Sequence, residues 1–178
     1  MNINYTKVLL TTYPHIEKLI AQIDELVEKK ALAAFSDYSP CLEIAEKILN
    51  YTNRKDLLIS IKLTTEKIFL KLTEEELELL DYKYFKKKPK EYYIDFDYES
   101  RGYFRKQEKL LQKVSAIYDQ ADFNDQWFKK NCLKIDFFVN MLRRVLGHDQ
   151  NMRKNKAKKK AVAKKKIKAV VQDMKLSA

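Results

Sequence analysis

The chain has 178 residues, 46% of them apolar and 12% aromatic, with a formal charge of +11 at pH 7. That apolar content excludes a chain disordered throughout. Two glycines and three prolines supply too few turns for a many-stranded sheet, so the composition predicts an all-α fold.

The charge is confined to one end. Residues 151–178 hold eleven of the 36 basic residues and one of the 25 acids, Asp173, so the first 150 residues are almost neutral. A lysine-rich tail of this kind attracts polyanions by releasing their counterions, and it reads no sequence. No run of 18 apolar residues exists to span a membrane. Residues 1–10 lack the basic start and apolar run of a signal peptide. A cytoplasmic protein is expected, with Cys41 and Cys132 as two buried free thiols.

In chain order, Ile16, Leu19, Ile20, Ile23, Leu26 and Val27 recur at helical spacing, which predicts a helix from about Tyr13 to Phe35 with Pro14 at its start. Ser39 and Pro40 are a natural N-cap and first residue for a second helix, with Leu42, Ala45, Ile48 and Leu49 on one face. A third helix is expected from Arg54 to about Leu70, with Leu57, Leu58, Ile61, Ile68 and Phe69 apolar. Thr73 and Glu76 form a capping box at the head of the next helix, whose first turn is acidic as the helix dipole favours. Its buried stripe is Leu77, Leu80, Tyr84 and Phe85. Lys86-Lys87-Lys88-Pro89 ends it, because a residue before proline avoids the helical region.

Residues 90–96 allow a two-turn helix, and Asp97-Tyr98 breaks it. A basic helix follows from Glu99 or Ser100 to about Tyr118, with Tyr103, Gln107, Leu110, Leu111 and Val114 on one side. The last long helix is expected to start at Asp122, run through Trp127, Phe128, Phe137 and Phe138, and stop at Gly147. The tail contains Ala161, Ala163, Ile167, Val170, Val171 and Met174, spacing that permits a frayed helix ordered by an anionic partner. The resulting organisation is an N-terminal helical unit, residues 1–70, then a second unit, residues 71–150, then the tail, residues 151–178.

Leu72-Thr73-Glu74-Glu75-Glu76, Tyr84-Phe85, Pro89 with Glu91, Phe96, the turn Asp97-Tyr98-Glu99-Ser100, Arg105 and Leu110-Leu111-Gln112-Lys113-Val114 follow one another in a recognisable order. Over residues 72–114, a quarter of the chain, they resemble the helix-turn-helix of sigma-70 region 4, as carried by phage and mobile-element transcription regulators of the ArpU and RinA type. The resemblance implies a supporting helix over residues 90–96 and a recognition helix from Ser100. Arg101 and Arg105 would then reach guanine edges or phosphates, while Ser100, Lys106 and Lys109 hold phosphates. Lys86, Lys87 and Lys88 would touch the flanking backbone. Two residues depart from the pattern: Tyr93 stands where the family has a small residue, and Gly102 costs the recognition helix roughly 1 kcal/mol against alanine. Phe104 adds an exposed ring beside the arginines.

The expected function is a DNA-binding transcriptional regulator. Its tail lysines, Lys158, Lys159, Lys160, Lys164, Lys165, Lys166 and Lys168, add non-specific affinity for DNA or RNA. RNA polymerase or another protein is a further expected partner. The alternative is a non-enzymatic helical interaction module or scaffold whose tail grips RNA, ribosomes or bulk DNA. A membrane-surface role for the tail is disfavoured by its lack of aromatic residues. No catalytic group, cofactor or metal site is expected. His15 and His148 are far apart, no glycine-rich phosphate loop exists, and no Cys/His zinc spacing occurs.

Overall fold

The computed structural model describes residues 1–36, 41–85 and 101–147, and every described element is helical. The first, α1 (Ile3–Thr12), is capped by Asn2, whose side chain accepts from the Asn4 N–H at 2.9 Å. Val8, Leu9 and Leu10 are all fully buried. Three consecutive residues of a helix span about 200° of its circumference, and with Thr6 and Thr12 also buried α1 is largely enclosed by its neighbours. Its hydroxyls do not oppose this burial: Thr12 Oγ1 donates to the Val8 carbonyl at 2.8 Å and Thr11 Oγ1 to the Lys7 carbonyl at 2.7 Å.

Pro14 sits in a 3-10 turn, Tyr13–His15. Proline has no N–H to continue an α-helical ladder, so the chain is redirected there. The long helix expected from Tyr13 therefore starts at Ile16, as α2 (Ile16–Ser36). It runs antiparallel to α3 (Cys41–Phe69). Lys62 Nζ meets Glu17 Oε1 at 2.7 Å and Lys55 Nζ meets Asp24 Oδ1 at 2.6 Å. A seven-residue advance on one helix is thus a seven-residue retreat on the other.

Where the sequence predicts two helices, α3 is one of 29 residues. Tyr51-Thr52-Asn53 are indifferent helix formers, but none is glycine or proline, and Thr52 Oγ1 bonds back to the Ile48 carbonyl at 3.1 Å. The inward face is as expected over its second half and differs over its first. Ile44, Leu58, Ile61, Thr65 and Ile68 are buried, whereas Leu42 and Leu49 are exposed. Cys41 opens α3 and is exposed, so only Cys132 is a buried thiol.

The capping box predicted at Thr73 is present at the head of α4 (Glu74–Leu80). The Glu76 N–H donates to Thr73 Oγ1 at 3.3 Å, and the Thr73 N–H donates to Glu76 Oε2 at 3.0 Å. The chain then widens into a π-turn, Asp81–Phe85. Of the stripe expected here Leu80 is buried, with Leu79 beside it, while Tyr84 and Phe85, beyond the widening, pack half-buried at the edge. Phe85, Phe69 and Tyr13 form an aromatic triangle with centroids 5.0–5.5 Å apart, joining the π-turn, the end of α3 and the 3-10 turn.

Helix α5 (Arg101–Gln120) buries Tyr103, Leu110, Leu111, Val114, Ser115 and Tyr118. It ends in a Schellman arrangement. The Phe123 N–H donates to the Tyr118 carbonyl at 3.0 Å and the Asp122 N–H to the Asp119 carbonyl at 3.2 Å, with Asp122 left-handed at φ 65°. Asp122 is therefore the end of one helix, not the start of the next as expected. Asn124 caps α6 (Asp125–Asn131).

The long aromatic helix expected here is two helices, α6 and α7 (residues 136–147), separated by a turn. Phe128 and Phe138 are ten residues apart, which on an unbroken helix points them about 80° apart. The turn brings both into the core, with rings 6.4 Å apart and edge to face, while Tyr5 stacks on Phe128 at 4.2 Å.

One core results. It combines Val8, Leu9 and Leu10 of α1 with Leu58 and Ile61 of α3, Leu79 and Leu80 of α4, Leu110 and Val114 of α5, and Phe128 and Phe138. Among the described residues no helix is long and apolar enough to cross a membrane.

Candidate nucleic-acid interface

The basic residues of α5 divide into two sets by position around the axis. Tyr103, Leu110, Val114 and Tyr118 mark the inward row. Lys106 and Lys113 lie on one flank, seven residues apart, and both turn to α4. Lys106 Nζ meets Glu75 Oε1 at 2.5 Å, and Lys113 Nζ meets Glu76 Oε2 at 2.6 Å and Oε1 at 2.9 Å. Glu76 therefore closes the capping box and anchors α5 with one carboxylate. Partial burial opposes its charge. The Lys113 ammonium and the Thr73 N–H outweigh that and hold the Glu76 carboxyl below its ordinary range.

Arg105 and Lys109 form the second set. They lie one turn apart on the side away from the buried row, both exposed and neither ion-paired among the described residues. Gly102 and Gln112 share that exposed side. An arginine and a lysine four residues apart, with Cβ atoms about 6 Å from each other, can bracket one phosphate, or divide a phosphate and a base edge between them. Phe104 is 47% exposed beside them, its ring edge-on to buried Tyr103 at 5.4 Å.

The described residues thus bring together three of the predicted contacts, Arg105, Lys106 and Lys109, on one helix. Lys106 is committed to Glu75, a partner the sequence did not indicate. Arg101 is the first residue of α5, and its side chain lies outside the described residues. Lys86, Lys87, Lys88 and Ser100 lie outside them too. So do the rest of the segment read as supporting helix and turn and the tail lysines Lys158, Lys159, Lys160, Lys164, Lys165, Lys166 and Lys168. Sequence reasoning missed Lys113 altogether. The available signal was the shared spacing: Lys106 and Lys113 repeat every seven residues on a helix that follows an acidic one.

Among the described residues no group of three or more His, Cys, Asp or Glu side chains converges on a metal-sized site. No protein family, curated protein or solved structure matches the chain.

Proposed function

We propose that the chain is a DNA-binding regulator of transcription, with α5 as the helix that enters the major groove. The observation that supports this reading is the division of labour on α5. Lys106 and Lys113 hold the helix to α4, and Arg105 and Lys109 are exposed on its outer side with no ion pair among the described residues. A reading helix needs a fixed angle to its support and unengaged donors on the face it presents. The order of residues 72–114, similar to sigma-70 region 4 helix-turn-helices, supports the same reading. The Lys158–Lys168 cluster would add salt-sensitive, sequence-independent affinity.

The test is selection of bound sites from genomic DNA at about 150 mM salt, where tail-driven binding is screened. The full chain, residues 1–150 and Arg105→Ala/Lys109→Ala are compared. The expected result is one motif shared by the first two and lost in the double variant. Motif-free binding that vanishes with residues 151–178 would instead support a second reading, a helical interaction module with a polyanion anchor. The confinement of the charge to the tail favours that alternative.

A further inference from the structure

The near-neutral body is itself asymmetric. Residues 126–147 carry five basic side chains, Lys129, Lys130, Lys134, Arg143 and Arg144, against one acid, Asp136, whereas the 125 residues before them carry 20 basic and 22 acidic. All five are exposed, and none is ion-paired among the described residues. They sit on a fixed frame. The Ile135 N–H donates to the Cys132 carbonyl at 3.0 Å and closes the turn between α6 and α7, while the Phe128 and Phe138 rings clamp the two helices together from inside. Counted at 100° per residue from buried Phe138, Asp136, Asn140, Arg143 and Arg144 all fall within about 60° of the outward direction of α7. Arg143 Nη1 donates to Asn140 Oδ1 at 3.4 Å, so these side chains are neighbours on that face.

We propose that the outer face of α7 is a second DNA-contacting surface, with Arg143 and Arg144 on backbone phosphates and the lysines of α6 and the turn on the phosphates beside them. This rests on the DNA reading of the chain but not on the role of α5. Charge selects a polyanion, and shape selects a duplex. A helix is about 10–12 Å across and fits the major groove of B-DNA, about 12 Å wide. The deep, narrow major groove of duplex RNA does not admit one. Single strands are held largely by stacking on aromatic rings, and the outward positions of α7, Asp136, Asn140, Arg143 and Arg144, include none. Connectivity favours the same partner. Only residues 148–150 separate α7 from the lysine-rich tail in sequence, so DNA held by the tail is kept at high local concentration beside this face.

The probe is a fluorescein-labelled duplex of about 24 base pairs and mixed sequence, bound to the full chain and read by anisotropy over a salt series centred on about 150 mM. Arg143→Gln/Arg144→Gln is expected to weaken binding about tenfold and to flatten the slope of log affinity against log salt by about 1.8, the share of two phosphate contacts. The same loss of charge at Lys18→Gln/Lys29→Gln, two exposed lysines of α2, should change neither. All four positions are exposed, so thermal unfolding should match that of the unaltered chain. Equal losses in the two variants would reduce α7 to bulk charge and overturn the proposal, as would an α7 variant that binds like the unaltered chain. Tighter binding of a single-stranded RNA of equal length, with the same loss in the α7 variant, would overturn the choice of DNA. Arg105→Gln/Lys109→Gln separates the two helices. A loss there with none at α7 removes α7 and leaves α5 as the DNA face, and a loss at α7 with none there removes α5 alone.

Discussion

Tyr118 and Thr65 share a hydrogen bond of 2.6 Å between their hydroxyls, both fully buried, where α5 crosses α3. Thr65 Oγ1 already donates to the Ile61 carbonyl at 2.7 Å, so its one proton is used and Tyr118 is the donor. Burial drives the Tyr118 phenol well above its ordinary range, with the bond to Thr65 opposing the shift only in part, so the donor stays protonated. The two variants are therefore unequal. Tyr118→Phe leaves the Thr65–Ile61 bond intact and should cost about 1 kcal/mol. Thr65→Val strands a buried O–H and should cost about 2–3 kcal/mol. Urea unfolding of both singles and the double should give a double-variant loss smaller than the sum. Additive losses would show that the hydroxyls do not interact.

Asp122 holds a left-handed conformation at the position where a Schellman motif usually has glycine. Asp122→Gly removes the conflict between Cβ and backbone, and should raise stability by about 0.5–1 kcal/mol. Chemical denaturation measures it directly. A loss of stability would mean that the aspartate side chain itself holds the turn.

The Glu76 carboxyl is held below its ordinary range in the folded chain. Between the depressed and ordinary values, the unfolded chain binds more protons at this site than the folded one. The contribution of Glu76 is therefore full above the ordinary carboxyl range and disappears as pH falls through the depressed one. The stability difference between the unaltered chain and Glu76→Gln should be about 0.5–1 kcal/mol near neutrality and should shrink toward zero as pH falls through the depressed carboxyl range. A difference that is constant across that range would contradict the assignment.

The two thiols should separate in a labelling experiment. Cys41 is exposed, while Cys132 is buried and its thiol is pushed up to about 12 by burial. At about pH 8, a thiolate-specific reagent should modify one thiol per folded chain and the second only on unfolding. Cys41→Ser should abolish the fast reaction.

Local chemistry was legible in the sequence, and long-range geometry was not. Thr73 and Glu76 announce their capping box because both partners lie within one turn. The inward row of α5, Tyr103 to Val114, is readable because one helix carries the whole pattern. Val8-Leu9-Leu10 is too short a run to reveal a period, so the most enclosed helix of the fold passed as an unremarked N-terminus. The repeat on α3 was ambiguous for another reason. That helix has two apolar rows, and only its partner, α2, decides which one turns inward. The Lys106–Glu75 and Lys113–Glu76 pairs at the candidate interface join residues more than 30 positions apart, a distance over which spacing rules are silent.

The enclosure of α1 sets the order in which the molecule can be made. Its contacts are with late-arriving residues: Ser115 Oγ donates to the Met1 carbonyl, and the Asn2 N–H donates to Asp125 Oδ1 across 123 residues. On the ribosome, at roughly 5–20 residues per second, Val8, Leu9 and Leu10 emerge about 5–20 s before the helices that cover them. During synthesis the α2–α3 hairpin can zip locally. The buried run Val8-Leu9-Leu10 of the first helix must wait until α5 and α6 are available, so the core closes only after they have emerged.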